Sequence, residues 1–197
     1  MRGLMLIAGL GLSLAASGAA SGAAQAATQT FQVGGSTPQI CTVQNPVLSQ
    51  GALVNFRSLN GTTLQIDQLA DPKTLATIAS AADVSFVAVC NYPHRIRLES
   101  QNNGLFRGGA TGAAPPVGFA DGVPYTATLV WGPVSNSFFV DATSRRLSQQ
   151  VTPVDHGVAG SLKIHLAIQA GASNLSANAP LIAGNYSDTL RVTVEPQ

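Results

Sequence analysis

Three histidines, nine carboxylates and two cysteines are the residues with which this chain of 197 could do chemistry. No two of His94, His156 and His165 stand at metal-ligand spacing. His165 falls on the outward phase of an alternating run and His94 follows the turn-like Tyr92-Pro93, so the histidines are expected on solvent-facing or loop positions. The carboxylates Asp67, Asp71, Asp83, Glu99, Asp121, Asp141, Asp155, Asp188 and Glu195 lie mostly near turns or on polar faces. A glycosidase pair is brought together by folding, not by spacing, and none declares itself. No G-x-S-x-G nucleophile elbow occurs. The "GGATG" stretch at 108–112 lacks the Lys-Ser/Thr of a phosphate loop, and no helical pattern follows it. N-x-Ser/Thr sequons at Asn60, Asn174 and Asn185 matter only in a host that glycosylates such sites. The expectation is a protein with no catalytic residues, no metal and no cofactor.

The cysteines point to a compartment. Met1-Arg2 opens a short positive start, an apolar run follows, and Ala24-Gln25-Ala26 has the small-x-small form of a signal-peptidase site. Residues 1–26 are therefore expected to be a signal peptide. A single membrane helix is the weaker reading, because the apolar run is diluted by Gly and Ser and a small-residue cleavage site follows it, and no membrane insertion is expected after cleavage. In an exported chain, Cys41 and Cys90 read as one disulfide, worth roughly 4 kcal/mol in the chain-entropy account of a loop of about 50 residues. Of the 10 Lys+Arg, Arg2 leaves with the signal, so nine cations face nine anions. Scattered, balanced charge excludes a nucleic-acid stripe or an anionic-membrane patch, and low net charge protects little against self-association.

The elements that must position any site are strands. "HRIRLES", "SLKIHLAIQ" and "YSDTLRVTVEP" alternate apolar and polar residues with period two. "DVSFVAVC" is apolar on both faces and reads as a central strand. "YTATLVWG" and "NSFFVDA" form a hairpin pattern about Gly132-Pro133, and "GALVNF" is a short strand candidate. "DPKTLATIA" could make one or two helical turns, with Asp71 as N-cap and Pro72 at the first position. "NNGLFRGGATGAAPPVGFADGVP" and "QAGASNLSANAPLIAGN" read as loops. Many short strands with Gly/Pro turns, no repeat and no heptads give one antiparallel β-sandwich. Gly184, Tyr186 and Asp188 mark the corner entering the last strand, where a Tyr can fold back on the preceding turn as in immunoglobulin-like sandwiches.

Two segments remain unusual. The final strand, with Leu190, Val192 and Val194 on one face, runs almost to Gln197, with nothing following it to lie alongside. "ATQTFQVGGSTPQI" precedes Cys41, and when extended it places Phe31, Val33, Gly35 and Thr37 on one face. A flexible tail and a strand that pairs with something are both open readings of it.

The combination of "TFQV" and "CTV" after the signal, "VC" some fifty residues on, "PYTATLVWG" in mid-chain and a final "AGNYSDTLRVTVEP" resembles the spore coat protein U domain. That domain is shared with subunits of archaic chaperone–usher pili. The resemblance covers most of the chain after residue 26 and is strongest at the C-terminal motif. Arg57–Ala82 and Asn102–Pro124 are longer than the family pattern.

The resemblance implies an all-β, immunoglobulin-like antiparallel sandwich, incomplete by one strand that is supplied in trans. It divides the chain into a signal peptide (1–26), an N-terminal donor-strand segment (27–40) and the pilin domain (41–197). It implies donor residues Phe31, Val33 and Gly35, and an acceptor-groove edge strand carrying Leu190, Val192 and Val194. Donor-strand complementation is a form of β-augmentation, and its head-to-tail contact does not close, so it propagates as a fibre. The implied partners are a periplasmic pilus chaperone, an outer-membrane usher and other pilin subunits. The implied route is periplasm, then cell-surface pilus or coat. A secreted adhesin or carbohydrate-binding module is the alternative.

Overall fold

The computed structural model describes residues 26–49, 53–109 and 115–197. Except for Ala26, the signal peptide expected at 1–26 lies outside them, as do Gly51 and Ala52 of the strand expected in "GALVNF" and the Ala110–Gly112 part of "GGATG". The chain divides into two units, one ending at Ser36 and one spanning Thr37–Gln197. In the first, residues 26–36 carry no strand or helix. Every regular element described lies in the second unit and is a strand.

In chain order these are β1 (Cys41–Val43), β2 (Val47–Leu48), β3 (Phe56–Asn60), β4 (Thr63–Ile66), β5 (Ser80–Cys90), β6 (His94–Ser100) and β7 (Leu105–Arg107). Then follow β8 (Gly122–Val123), β9 (Tyr125–Trp131), β10 (Val134–Val140), β11 (Ser148–Val154), β12 (Val158–Ile168), β13 (Tyr186–Ser187) and β14 (Leu190–Pro196). One main sheet runs β1-β5-β12-β9-β10, with β2 also beside β5. The other runs β11-β6-β14, and all the named pairings are antiparallel.

Period-two patterning explains how the sheets face each other. Ala82, Val84 and Ala88 on β5 and Leu162, Ile164 and Ile168 on β12 are buried, as are Ala127, Leu129 and Trp131 on β9. All of these except Ala82 and Val84 join Ile96 and Leu98 of β6 in a single core cluster, as the inner faces of a sandwich do. The outer faces of β12 and β6 are polar: Lys163 and His165 alternate with the buried residues of β12, and Arg95, Arg97 and Glu99 with those of β6. β5 lies between β1 and β12, the central position expected of "DVSFVAVC". Its outer face is wetter than its composition implies, since Val87 and Val89 are exposed.

Several local expectations change. "DPKTLATIA" forms one turn and no helix: the Asp71 carboxylate accepts from the amides of Lys73 (2.9 Å) and Thr74 (2.8 Å), and Leu75, at φ 60°, ends the turn at once. Of the strand expected in "GALVNF", the described Leu53–Asn55 carry only a bridge of Val54 to Ala81, after which Asn55, at φ 57°, turns the chain into the β3–β4 hairpin that Phe56 opens. The "NNGLF…GVP" loop contains β7 and β8, which pair with each other, and β7 also pairs with β13 in a small sheet.

Candidate functional site

The two margins of the sandwich differ in how well their apolar inward residues are covered. At one, β10 lies beside β11. Their inward positions mix polar Asn136, Ser148, Gln150 and Thr152 with apolar Val134, Phe138, Val140 and Val154, the last three of which are buried, and Asn136 Nδ2 donates to Thr152 Oγ1 (3.0 Å). The apolar inward residues of this margin are covered by the core. At the other, β1 lies near β14, and the inward positions are apolar yet incompletely covered.

The register makes this visible. Val43 stands opposite Ala88 on the interior phase, yet is 41% exposed while Ala88 is 2% exposed. Phe86 stands opposite Leu162 and is only half-buried, whereas Leu162 is fully buried. Leu190, Val192 and Val194 are opposite Ser100, Leu98 and Ile96, all buried, but are themselves half-buried. The three residues predicted for the acceptor edge thus lie together along one apolar slot. β14 pairs with β6 alone, so among the described residues its other backbone edge is unpaired. An unpaired edge beside a half-covered apolar row can accept one more strand. β14 offers seven residues, a length of about 23 Å at the rise of an extended chain.

The corner entering β14 is built from the three predicted residues. Tyr186 Oη donates to the carbonyl of Ile182 (2.8 Å), with a longer contact to that of Ala120 (3.3 Å). Burial, followed by the charge of Asp121, pushes the Tyr186 hydroxyl up to about 12. Asp188 receives Ser100 Oγ (2.5 Å), Tyr125 Oη (2.7 Å) and the amides of Asn102 (2.9 Å) and Thr189 (2.8 Å). It ties the end of β6 to the start of β14 and so sets their register. Burial and then Asp188 hold the Tyr125 hydroxyl protonated well above the ordinary tyrosine range. Gly184 is required by close approach: a Cβ there would lie 2.6 Å from Arg107 Cγ.

The chain enters β1 through a second fixed point. The Cys41–Cys90 disulfide joins residues directly opposite in register. Beyond it, the Asn91 amide donates to the Ile40 carbonyl (3.1 Å), Asn91 Oδ1 accepts from the Ile40 amide (2.9 Å) and Asn91 Nδ2 donates to the Pro38 carbonyl (2.8 Å). The Asn91 side chain thus extends the ladder past the disulfide. Of the predicted donor residues, Phe31 is 84% and Val33 86% exposed, and nothing lies within 4 Å of where a Gly35 Cβ would sit. Asn91, Val43 and Phe86 were not singled out from the sequence. The signal for Val43 was present, since "CTV" alternates in the strand period.

The histidines need a correction. His94, expected in solvent, is fully buried at the start of β6. Its Nε2 faces Trp131 Nε1 at 2.8 Å and its Nδ1 faces the Tyr92 carbonyl at 2.8 Å. The indole can only donate and the carbonyl only accept, so Nδ1 carries the proton. The competing principle is satisfied burial: Trp131, 1% exposed, needs an acceptor in the core. His165 is outward as expected and meets Asp83 across the ladder, Nδ1 to Oδ1 2.5 Å. Among the described residues no three His, Cys, Asp or Glu cluster as metal ligands, and no helix is long and apolar enough to cross a membrane. The chain matches no protein-family model, no curated protein and no solved structure.

Proposed function

We propose that this chain is a structural subunit of a secreted surface pilus or coat, assembled when an extended segment of one copy completes the sandwich of the next. The observation that carries the reading is the slot between β1 and β14, where an unpaired backbone edge runs beside Leu190, Val192 and Val194, all half-buried. The β10–β11 margin is the internal control, because its inward apolar residues Phe138, Val140 and Val154 are buried. Thr28–Gln39 supplies the matching piece in the neighbouring copy: Phe31 and Val33 fill the slot and Gly35 meets a shallow point. A periplasmic chaperone covers the slot until an outer-membrane usher exchanges it for the next subunit's donor. The protein is not an enzyme in this reading and uses no cofactor.

A carbohydrate-binding role draws less support. The groove of about 490 Å³ beside the corner is lined by Leu69, Leu75, Phe119, Leu181 and other apolar groups, which do not recognise hydroxyls.

The test removes residues 28–36 and compares assembly. Full chain is expected to form polymers whose length grows with concentration, and the truncated chain to remain bound to a chaperone as a monomer. Truncated and full chains that are equally stable monomers without any partner would refute the reading.

A further inference from the structure

Both strands bordering the slot meet the chain's entry at one end of the sandwich. Cys41 opens β1 opposite Cys90, Pro196 closes β14 opposite His94, and only Asn91–Pro93 separate Cys90 from His94. β1 and β14 therefore run in opposite directions, and a chain continuing backwards from Cys41 heads out of the slot, past its end. For that chain to enter its own slot it must reverse.

Asn91 decides where a reversal can occur. Its three hydrogen bonds hold Pro38–Ile40 along the extension of the β1–β5 ladder. The Asn91–Pro93 link is itself braced, because His94 Nδ1 donates to the Tyr92 carbonyl (2.8 Å). Three held residues carry the chain about 10 Å beyond the disulfide. A reversal then has to begin before Pro38, use at least about two residues in the turn, and spend about three more returning to the level of Cys41. Those five are Ser36 and Thr37 in the turn and Val33 to Gly35 in the return, so only residues up to Gln32 reach the slot. Phe31 would enter without Val33 or Gly35. If Pro38–Ile40 were released, the turn could form there and all three donor residues would fit. The slot of another copy imposes no such limit.

We infer that Asn91 is a positioning residue that holds Pro38–Ile40 along the β1–β5 ladder and thereby favours entry of the donor segment into a second copy of this chain over its own slot, an inference that rests on the pilus-subunit reading. The experiment compares the full chain carrying Asn91→Ala or Asn91→Asp with the unaltered protein. Asn91→Asp keeps the acceptor for the Ile40 amide and loses the donor to Pro38. Amide exchange at Ile40 reports the clamp, and the polymer-to-monomer ratio after release from the chaperone reports direction. Asn91→Ala is expected to speed Ile40 exchange about tenfold or more. It is also expected to divert chains into monomers whose resistance to denaturant disappears when residues 28–36 are removed, with Asn91→Asp between the two.

Unchanged Ile40 exchange in Asn91→Ala overturns the clamp. Fast exchange with polymers as abundant as in the unaltered protein overturns the directing role and leaves the subunit reading intact. Absence of polymers from the unaltered protein, or polymers indifferent to loss of residues 28–36, overturns the reading and the inference together.

Discussion

A peptide spanning Thr28–Gln39, added to the chain lacking residues 28–36, should restore the missing strand. The structure sets the size of the effect. Phe31 is 84% exposed and Val33 86%, so nearly all of their burial remains to be gained on docking. Full burial of one such side chain is worth about 1.5–3 kcal/mol. At about 1.4 kcal/mol per tenfold, truncating Phe31 to Ala in the peptide should weaken binding roughly 10- to 100-fold. Val33→Ala removes about two methylene equivalents, near 1.6 kcal/mol, or about tenfold. Peptide at a hundred times its Kd should add about 2.7 kcal/mol to domain stability, and a domain of this size gains about 2–4 °C per kcal/mol, so Tm should rise by roughly 5–10 °C. Differential scanning fluorimetry over a peptide series reads Tm, and competition with the unlabelled parent peptide gives the relative Kd. A scrambled peptide that stabilises equally, or a Phe31→Ala peptide binding as tightly as the parent, would refute the assignment of donor to slot.

The remaining predictions concern the scaffold. His94→Phe leaves the buried Trp131 indole N–H without its acceptor (2.8 Å) and should cost about 1–3 kcal/mol; the urea midpoint followed by the emission of Trp131, the chain's one Trp, measures it. Combined with Trp131→Phe, measured by circular dichroism, the loss should be smaller than the sum of the single losses, because the two side chains share one bond. Tyr186→Phe deletes the 2.8 Å bond to Ile182 and should cost about 0.5–1.5 kcal/mol, seen as a lower Tm with unchanged strand content. The Glu195 carboxyl is held below its ordinary value of 4.5, first by the hydrogen bond from Arg97 and also by the charges of Arg97 and Arg95. A depressed folded value stabilises above the unfolded value and is lost as pH falls through the folded one. Stability should therefore decline as pH drops below about 4.5, and Glu195→Gln should show a shallower decline in a pH series of thermal melts.

The strands of both main sheets were legible wherever apolar and polar residues alternate over seven residues or more, as in β6, β12 and β14. β11 was not, because its inward positions Ser148, Gln150 and Thr152 are polar and Pro153 interrupts it. The proline is tolerated on a strand that pairs only with β6. β7, β8 and β13, of two or three residues, are too short for periodicity to register. The β3–β4 hairpin had a readable sign in Asn60-Gly61, with Gly61 at φ 60° in a two-residue loop. In the site, the apolar row on β14 followed from alternation alone. The exposure of Val43 and Phe86 depends on what lies across the sandwich, which no local pattern encodes. The burial of His94 is of the same kind, since it is fixed by an indole 37 positions away.

The disulfide sits where the chain passes from Ile40 into β1, at the rung Cys41–Cys90. A tensile load applied at Thr37 therefore meets a covalent bond into the long β5 strand before it can peel β1 away rung by rung. Tension spreads along β5 and its neighbour β12, paired over eleven residues, as shear across many hydrogen bonds at once. A fibre built from such links would tolerate stretching best in an oxidising environment, and reduction would turn the first strand of each domain into an unzipping tether.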